Sequence, residues 1–150
     1  RLTNSPSIDT EPVFSPDGTQ IYFVSDRGGG PQIYRMSAAG GSVERITFNG
    51  SYNISPTISP DGKTMVFVSR QGAGYRLLAQ PLPGGTATPI TDGGGDESPS
   101  FAPNGRLLVY TSRSQGRDML MTTTLDGRIK SRLLSTSGDM REPAWGPFGR

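Results

Sequence analysis

One four-residue string returns through this chain at a nearly constant interval. Ser15-Pro16-Asp17-Gly18 recurs as Ser59-Pro60-Asp61-Gly62 and Ala102-Pro103-Asn104-Gly105, with a looser echo at Gly146-Pro147-Phe148-Gly149, at offsets of 44, 43 and 44. Other landmarks keep the same step: Pro12, Pro56, Pro99 and Pro143 precede Phe14, Ile58, Phe101 and Trp145. Leu2-Thr3, Ile46-Thr47, Ile90-Thr91 and Leu133-Leu134 mark a further shared position. A period of this length belongs to arrays in which each unit buries its apolar face only against the next one.

Within a unit the turn residues separate short apolar runs. Val13-Phe14 opens a brief strand that stops at Pro16, whose ring fixes φ, and Asp17-Gly18 supplies the turn. The next run, Gln20 to Ser25 with copies Thr64 to Ser69 and Leu107 to Ser112, is almost continuously apolar and β-branched or aromatic, which predicts a strand buried on both faces. Polar, glycine-bearing links are expected at Asp26 to Gly30, Arg70 to Gly74 and Arg113 to Gly116. A third strand follows at Gln32 to Met36, Arg76 to Gln80 and Met119 to Thr123. Gly40-Gly41, Gly84-Gly85 and Asp126-Gly127 then turn the chain into a fourth strand ending at Thr47, Thr91 or Leu134. Glycine and proline together supply 34 of the 150 residues, and the period makes them punctuation between strands rather than a sign of disorder.

Four antiparallel strands in about 43 residues make one propeller blade, so the fold class is all-β, with helix content near zero. The blades are expected at about 12–48, 56–91 and 99–135, with further strands at 1–4 and 143–147. Three complete units are fewer than the four to eight blades that close a ring, so the expectation is part of a larger propeller. The absence of a methionine or signal-like segment at Arg1 agrees with that. The end blades are then expected to show apolar faces to water, with self-association as the consequence.

Composition removes several chemistries. There is no histidine and no cysteine, which excludes a Ser-His-Asp triad, a thiol nucleophile, a disulfide and the usual zinc sites. Lys63, Lys130 and carboxylates are the only bases available to a serine or threonine nucleophile, and no nucleophile elbow or phosphate-binding loop is present, so no enzyme active site is expected. A net charge of +2 implies no nucleic-acid partner, and no apolar run approaches the ~20 residues that span a bilayer, so no membrane insertion is expected.

The pattern Pro-x-Φ-Ser-Pro-Asp-Gly, where Φ is an apolar residue, followed by an apolar strand, Gly-Gly and Arg45-Ile46-Thr47, resembles the WD40-like propeller repeat. Asp96 to Gly105, Asp126 to Leu133 and the closing Pro143-Ala144-Trp145-Gly146-Pro147-Phe148 are similar to the carboxy-terminal blades of the TolB family. This resemblance covers the whole chain and implies the last half of a six-bladed propeller. It also implies a non-enzymatic periplasmic scaffold of the Tol-Pal envelope system that docks the lipoprotein Pal, and other Tol or envelope proteins, at one mouth of the channel. Carried over by motif, the contacts fall on the residues leading into the inner strands: Asp9, Thr10 and Glu11; Asn53 and Ser55; Glu97 and Ser98; Arg141 and Glu142. Asn53-Ile54-Ser55 departs from the acidic pattern.

Read from the residues alone, Glu11, Asp96, Glu97 and Glu142 converge at one rim and could collect negative charge for a basic partner segment, hold structural hydrogen bonds, or bind calcium through several oxygens. No other cofactor is expected. Asp17 and Asp61 read as turn chemistry, because Asn104 replaces them in the third copy. Trp145, Phe14, Ile58 and Phe101 share an inner-strand core register; Tyr22, Phe23, Phe67 and Tyr110 are core by the same reasoning. Tyr52, Tyr75 and Phe48 are expected in exposed linkers, and Arg27, Arg70 and Arg113 on a solvated face. The alternatives are an accessory propeller of a peptidase related to prolyl oligopeptidase, marked by a hydrolase domain following Phe148, and a lactonase or lyase propeller, which needs histidine ligands.

Overall fold

The computed structural model describes residues 12–136, apart from 49, 51, 72, 73, 92–94 and 115. Three antiparallel sheets of four strands follow one another in chain order. The first holds β1 (Val13–Phe14), β2 (Gln20–Ser25), β3 (Gln32–Ser37) and β4 (Val43–Arg45). The second holds β5 (Asn53–Ile58), β6 (Thr64–Gln71), β7 (Gly74–Pro81) and β8 (Thr88–Pro89). The third holds β9 (Asp96–Phe101), β10 (Leu107–Ser114), β11 (Arg117–Thr124) and β12 (Lys130–Thr136). Each strand pairs with its sequence neighbours, and no helix occurs among the described residues.

The blades are wedges. The first strands touch in succession, β1 with β5 and β5 with β9, while the fourth strands of the described blades do not meet. This is the arrangement of sheets fanned around an axis, with β1, β5 and β9 innermost. An apolar layer fills each junction. Tyr22, Val24, Ile33 and Ile46 of the first blade pack on Met65, Phe67 and Leu78 of the second. Val66, Val68, Leu77 and Ile90 pack on Phe101, Leu108 and Tyr110 of the third. Because both faces of β6 are covered in this way, Met65, Val66, Phe67 and Val68 are each no more than 1% exposed, and burying side chains of this size contributes about 1.5–3 kcal/mol apiece.

The turn that marks the repeat is built alike each time. The amides of Gly18, Gly62 and Gly105 donate to the carbonyls of Ser15, Ser59 and Ala102 at 2.8–2.9 Å. These glycines sit at φ of 73–76°, which a side chain would strain. The turns also stack from blade to blade: a Cβ on Gly62 would meet Pro16 at 3.7 Å, and one on Gly105 would meet Pro60 at 3.3 Å.

Several expectations change. The links after β6 and β10 are tighter than predicted: Gln71 pairs with Gly74 and Ser114 with Arg117, so strand runs through Arg70 and Arg113. Only the first blade keeps a long link, at residues 26–31, where Gly28-Gly29-Gly30 interrupts pairing. The second and third blades begin three residues earlier than predicted, at Asn53 and Asp96, ahead of their prolines. Two fourth strands stop short of Thr47 and Thr91 because side chains take over the ladder. Ile33 N donates to Thr47 Oγ1 at 3.0 Å and Leu77 N to Thr91 Oγ1 at 2.9 Å, where a carbonyl would otherwise accept.

Phe14 is 55% exposed rather than core. Its counterparts Ile58 and Phe101 are covered by the blade before them, and no described blade precedes β1. The far face of the first blade is nevertheless closed. Ile21, Phe23, Tyr34 and Met36 are buried, Ala38 and Val43 pack on them, and Arg27 lies over the rings of Phe23 and Tyr34 at 5.3 Å. Tyr75 lies within β7, half-buried, in edge contact with Tyr52 at 6.1 Å, whereas Phe48 is 70% exposed as expected. The strands at 1–4 and 143–147, and Trp145, lie outside the described residues.

Candidate functional site at the inner-strand rim

The innermost strands share an irregularity. Pairing shifts register between Ile54 and Thr57 in β5, and opposite Val109 and Thr111 in β9, a bulge in each strand. Ser55-Pro56 stand opposite the single Phe67, and Ser98-Pro99 opposite the single Tyr110. Ser55 adopts φ 55° and Ser98 φ 53°, left-handed conformations that non-glycine residues take rarely and at a cost of about 1 kcal/mol or more. Proline explains the place of the bulge, since it has no N–H to give to the ladder. The kink redirects what flanks it: Ser55 and Glu97 face solvent, while Ser98 is half-buried. Glu97 stays anchored through its carbonyl, which accepts from Thr111 Oγ1 at 3.1 Å.

Asn53 and Asp96, expected at this rim, lie behind it. Asn53 is wholly buried, and its Nδ2 donates to Gln32 Oε1 at 2.8 Å. The same Gln32 oxygen accepts from Thr47 Oγ1 at 2.6 Å, and Gln32 Nε2 donates to Gly50 O at 3.1 Å. An amide so enclosed joins the first two blades and offers nothing to a partner, which corrects the expectation for Asn53. Asp96 is 5% exposed and accepts from Ser112 Oγ at 2.7 Å, a structural bond within its own blade. Asp9, Thr10, Glu11, Arg141 and Glu142 lie outside the described residues.

Of the four carboxylates named for a basic partner or a calcium ion, Glu11 and Glu142 are outside the described residues, Asp96 is enclosed and Glu97 alone faces solvent. No group of three or more acidic side chains able to hold a metal comes together among the described residues. Arginines lie at the same end of the blades. Arg45 stacks on the exposed Phe48 ring at 5.0 Å, Arg70 on Tyr52 at 5.8 Å, and Arg113 Nε donates to Asp118 Oδ1 at 2.9 Å. Arg70 and Arg113 are exposed, as the sequence reading expected, but their contacts with Tyr52 and Asp118 were not foreseen. The signal it passed over was that Tyr52 and Phe48 sit beside the same strand ends as the arginines.

At the opposite end the turn carboxylates accept hydrogen bonds within their own turns. Asp17 Oδ1 accepts from the Thr19 amide at 3.0 Å, from the Ser15 hydroxyl at 2.7 Å and from Thr19 Oγ1 at 2.8 Å, which lowers its pKa to about 2. Asp61 is held low by the Ser59 hydroxyl and the Lys63 amide, and Asp126 by the Thr124 hydroxyl and the Arg128 amide. Asn104 makes the corresponding bond without a charge, accepting from Arg106 N at 2.8 Å.

Residues 1–149 match the family described as TolB beta propeller domain. The Tol-Pal system protein TolB of Bordetella pertussis is 51% identical over 150 residues, spanning all of this chain and 34% of that protein. The chain thus spans about a third of the length of such curated relatives. The crystal structure of TolB from Acinetobacter baumannii superposes with a TM-score of 0.82 at 44% identity, covering 91% of this chain and 34% of that one. The β-propeller domain of the Trilobed protease from Pyrococcus furiosus gives a TM-score of 0.64 at 14% identity over 87% of this chain and 42% of that one, a likeness of fold alone.

Proposed function

The chain belongs to the TolB β-propeller domain family, and from that premise we propose that it is a non-enzymatic scaffold of the periplasmic Tol-Pal system whose inner-strand rim docks the lipoprotein Pal. The observation that carries this reading is the repeated bulge. Two successive innermost strands hold a serine in a left-handed conformation immediately before proline, at the position the resemblance assigns to partner contact. Strain kept at equivalent places in neighbouring blades is better explained by what those places present than by what they stabilise. Rigid blades behind a kinked rim suit recognition with little rearrangement on binding.

Chemistry supports a binding role over catalysis. Without histidine or cysteine, the serines and threonines of the rim have only carboxylates, lysine and arginine near them in sequence, and the Asp17 and Asp61 carboxylates are committed to turns. Asp9, Thr10, Glu11, Ser55, Glu97, Ser98, Arg141 and Glu142 form the proposed contact set. Calorimetric titration of purified Pal into the protein tests it. Glu97→Lys and Glu11→Lys are each expected to weaken Kd by about tenfold or more with no change in Tm. Asp17→Asn, in a turn at the opposite end of the blades, leaves Kd unchanged. An unaltered Kd in both charge-reversal variants removes the rim as the docking site.

A further inference from the structure

The loop end of the junction between the second and third blades gathers guanidinium groups and aromatic rings in a way that neither the fold nor the proposed Pal contacts require. Arg70 N donates to Tyr52 O at 3.0 Å while the Arg70 guanidinium lies over the Tyr52 ring at 5.8 Å. Tyr52 meets Tyr75 edge-on at 6.1 Å, and Tyr75 bridges Gly95, whose carbonyl accepts from Arg113 N at 3.1 Å. A continuous strip therefore runs from Arg70 across two tyrosines to Arg113. Gly95 makes this closeness possible, since a Cβ there would meet Arg113 at 3.0 Å. Inboard of the strip, Arg76 has its Nε enclosed without any hydrogen-bond partner.

We propose that this strip, carried by Tyr52, Arg70, Tyr75 and Arg113 with Arg76 behind them, is a docking surface for an acidic peptide segment. A guanidinium lying over a ring is partly desolvated on one face, yet keeps its planar edge of N–H donors for a carboxylate. The tyrosine rings add apolar area at small entropic cost. Peptide carboxylates fit better than the phosphates of a nucleic acid, because the net charge of the chain is only +2 and Asp118 already stands on Arg113. The inference does not depend on Pal, because its probe is a synthetic peptide.

Fluorescence anisotropy with labelled hexaglutamate tests the proposal on the protein at low salt. Hexaglutamate binds and hexalysine does not. Arg70→Glu combined with Arg113→Glu weakens binding by about tenfold or more, and Arg70→Gln alone by a smaller factor. Arg128→Glu, at the opposite end, changes nothing. Melting temperatures of all variants separate lost binding from lost folding, and Arg70→Gln, which leaves the Arg113–Asp118 pair intact, keeps the test open if the double reversal unfolds. No binding of hexaglutamate, an equal loss in Arg128→Glu, or equally tight binding of single-stranded oligothymidylate each overturns the proposal.

Discussion

The two blade junctions use one backbone plan with different polar fillings. Between the first and second blades, Gln32, Thr47 and Asn53 form a neutral network in which the Asn53 amide reaches across to Gln32. Between the second and third, the same repeat positions hold Arg76, Thr91 and Asp96. Only threonine keeps its bond: Thr91 accepts from Leu77 N as Thr47 does from Ile33 N. Asp96 bonds within its own blade and the Arg76 Nε has no partner. Within the second and third blades the backbone link beside each junction recurs, with Arg70 N on Tyr52 O in one blade and Arg113 N on Gly95 O in the other. A repeat fold is thus held by its apolar layer, its threonine and its backbone, leaving the remaining polar positions free to carry charge toward the rim.

If that is right, core truncation costs the two junctions alike. Phe67→Ala in the first and Leu108→Ala in the second are each expected to lose about 3–5 kcal/mol in urea unfolding. A difference well beyond that span would mean that one junction is not held by its apolar layer. Threonine comes next. Thr47→Val strands the Ile33 amide and part of Gln32 and costs about 2 kcal/mol, whereas Thr91→Val strands one amide and costs about 1 kcal/mol. Equal losses would erase the distinction.

A smaller effect has the opposite sign. Arg76→Gln places the first junction's side chain in the second and removes an enclosed, unpartnered N–H, so a gain of about 1 kcal/mol is expected in thermal melts. A loss of similar size would show that Arg76 supports the fold. Acid titration separates the junctions most gently. The stacked turns across the first junction contain Asp17 and Asp61, and those across the second contain Asp61 and Asn104. A carboxylate depressed to about 2 when folded contributes fully above its ordinary value of about 3.9 and loses that contribution as pH falls through this window. Asp17→Asn should flatten the pH dependence of unfolding between those values, and Asn104→Asp should steepen it.

Much of this was legible because the repeat states the plan several times over. The buried second strands, the aspartate turns and the core positions of Tyr22, Phe23, Phe67 and Tyr110 all followed from period and apolar runs. The tight hairpins did not. Arg70 and Arg113 look like loop residues, yet the ends of a hairpin tolerate charge because their side chains stay in water. The burial of Asn53 was hidden for another reason: an amide three residues before a proline signals a turn or a surface, and only the neighbouring blade's Gln32 makes its enclosure stable. Phe14 shows the converse, since its register is core and its exposure depends on what stands before β1.

The rim as docking surface is the central claim, and hydrogen exchange of the protein with and without Pal tests it most directly. Protection is predicted over 53–58 and 95–101, where the bulged strands lead in, with turns 15–19 and 59–63 unchanged. Protection confined to those turns, or spread evenly over both ends of the blades, would contradict it.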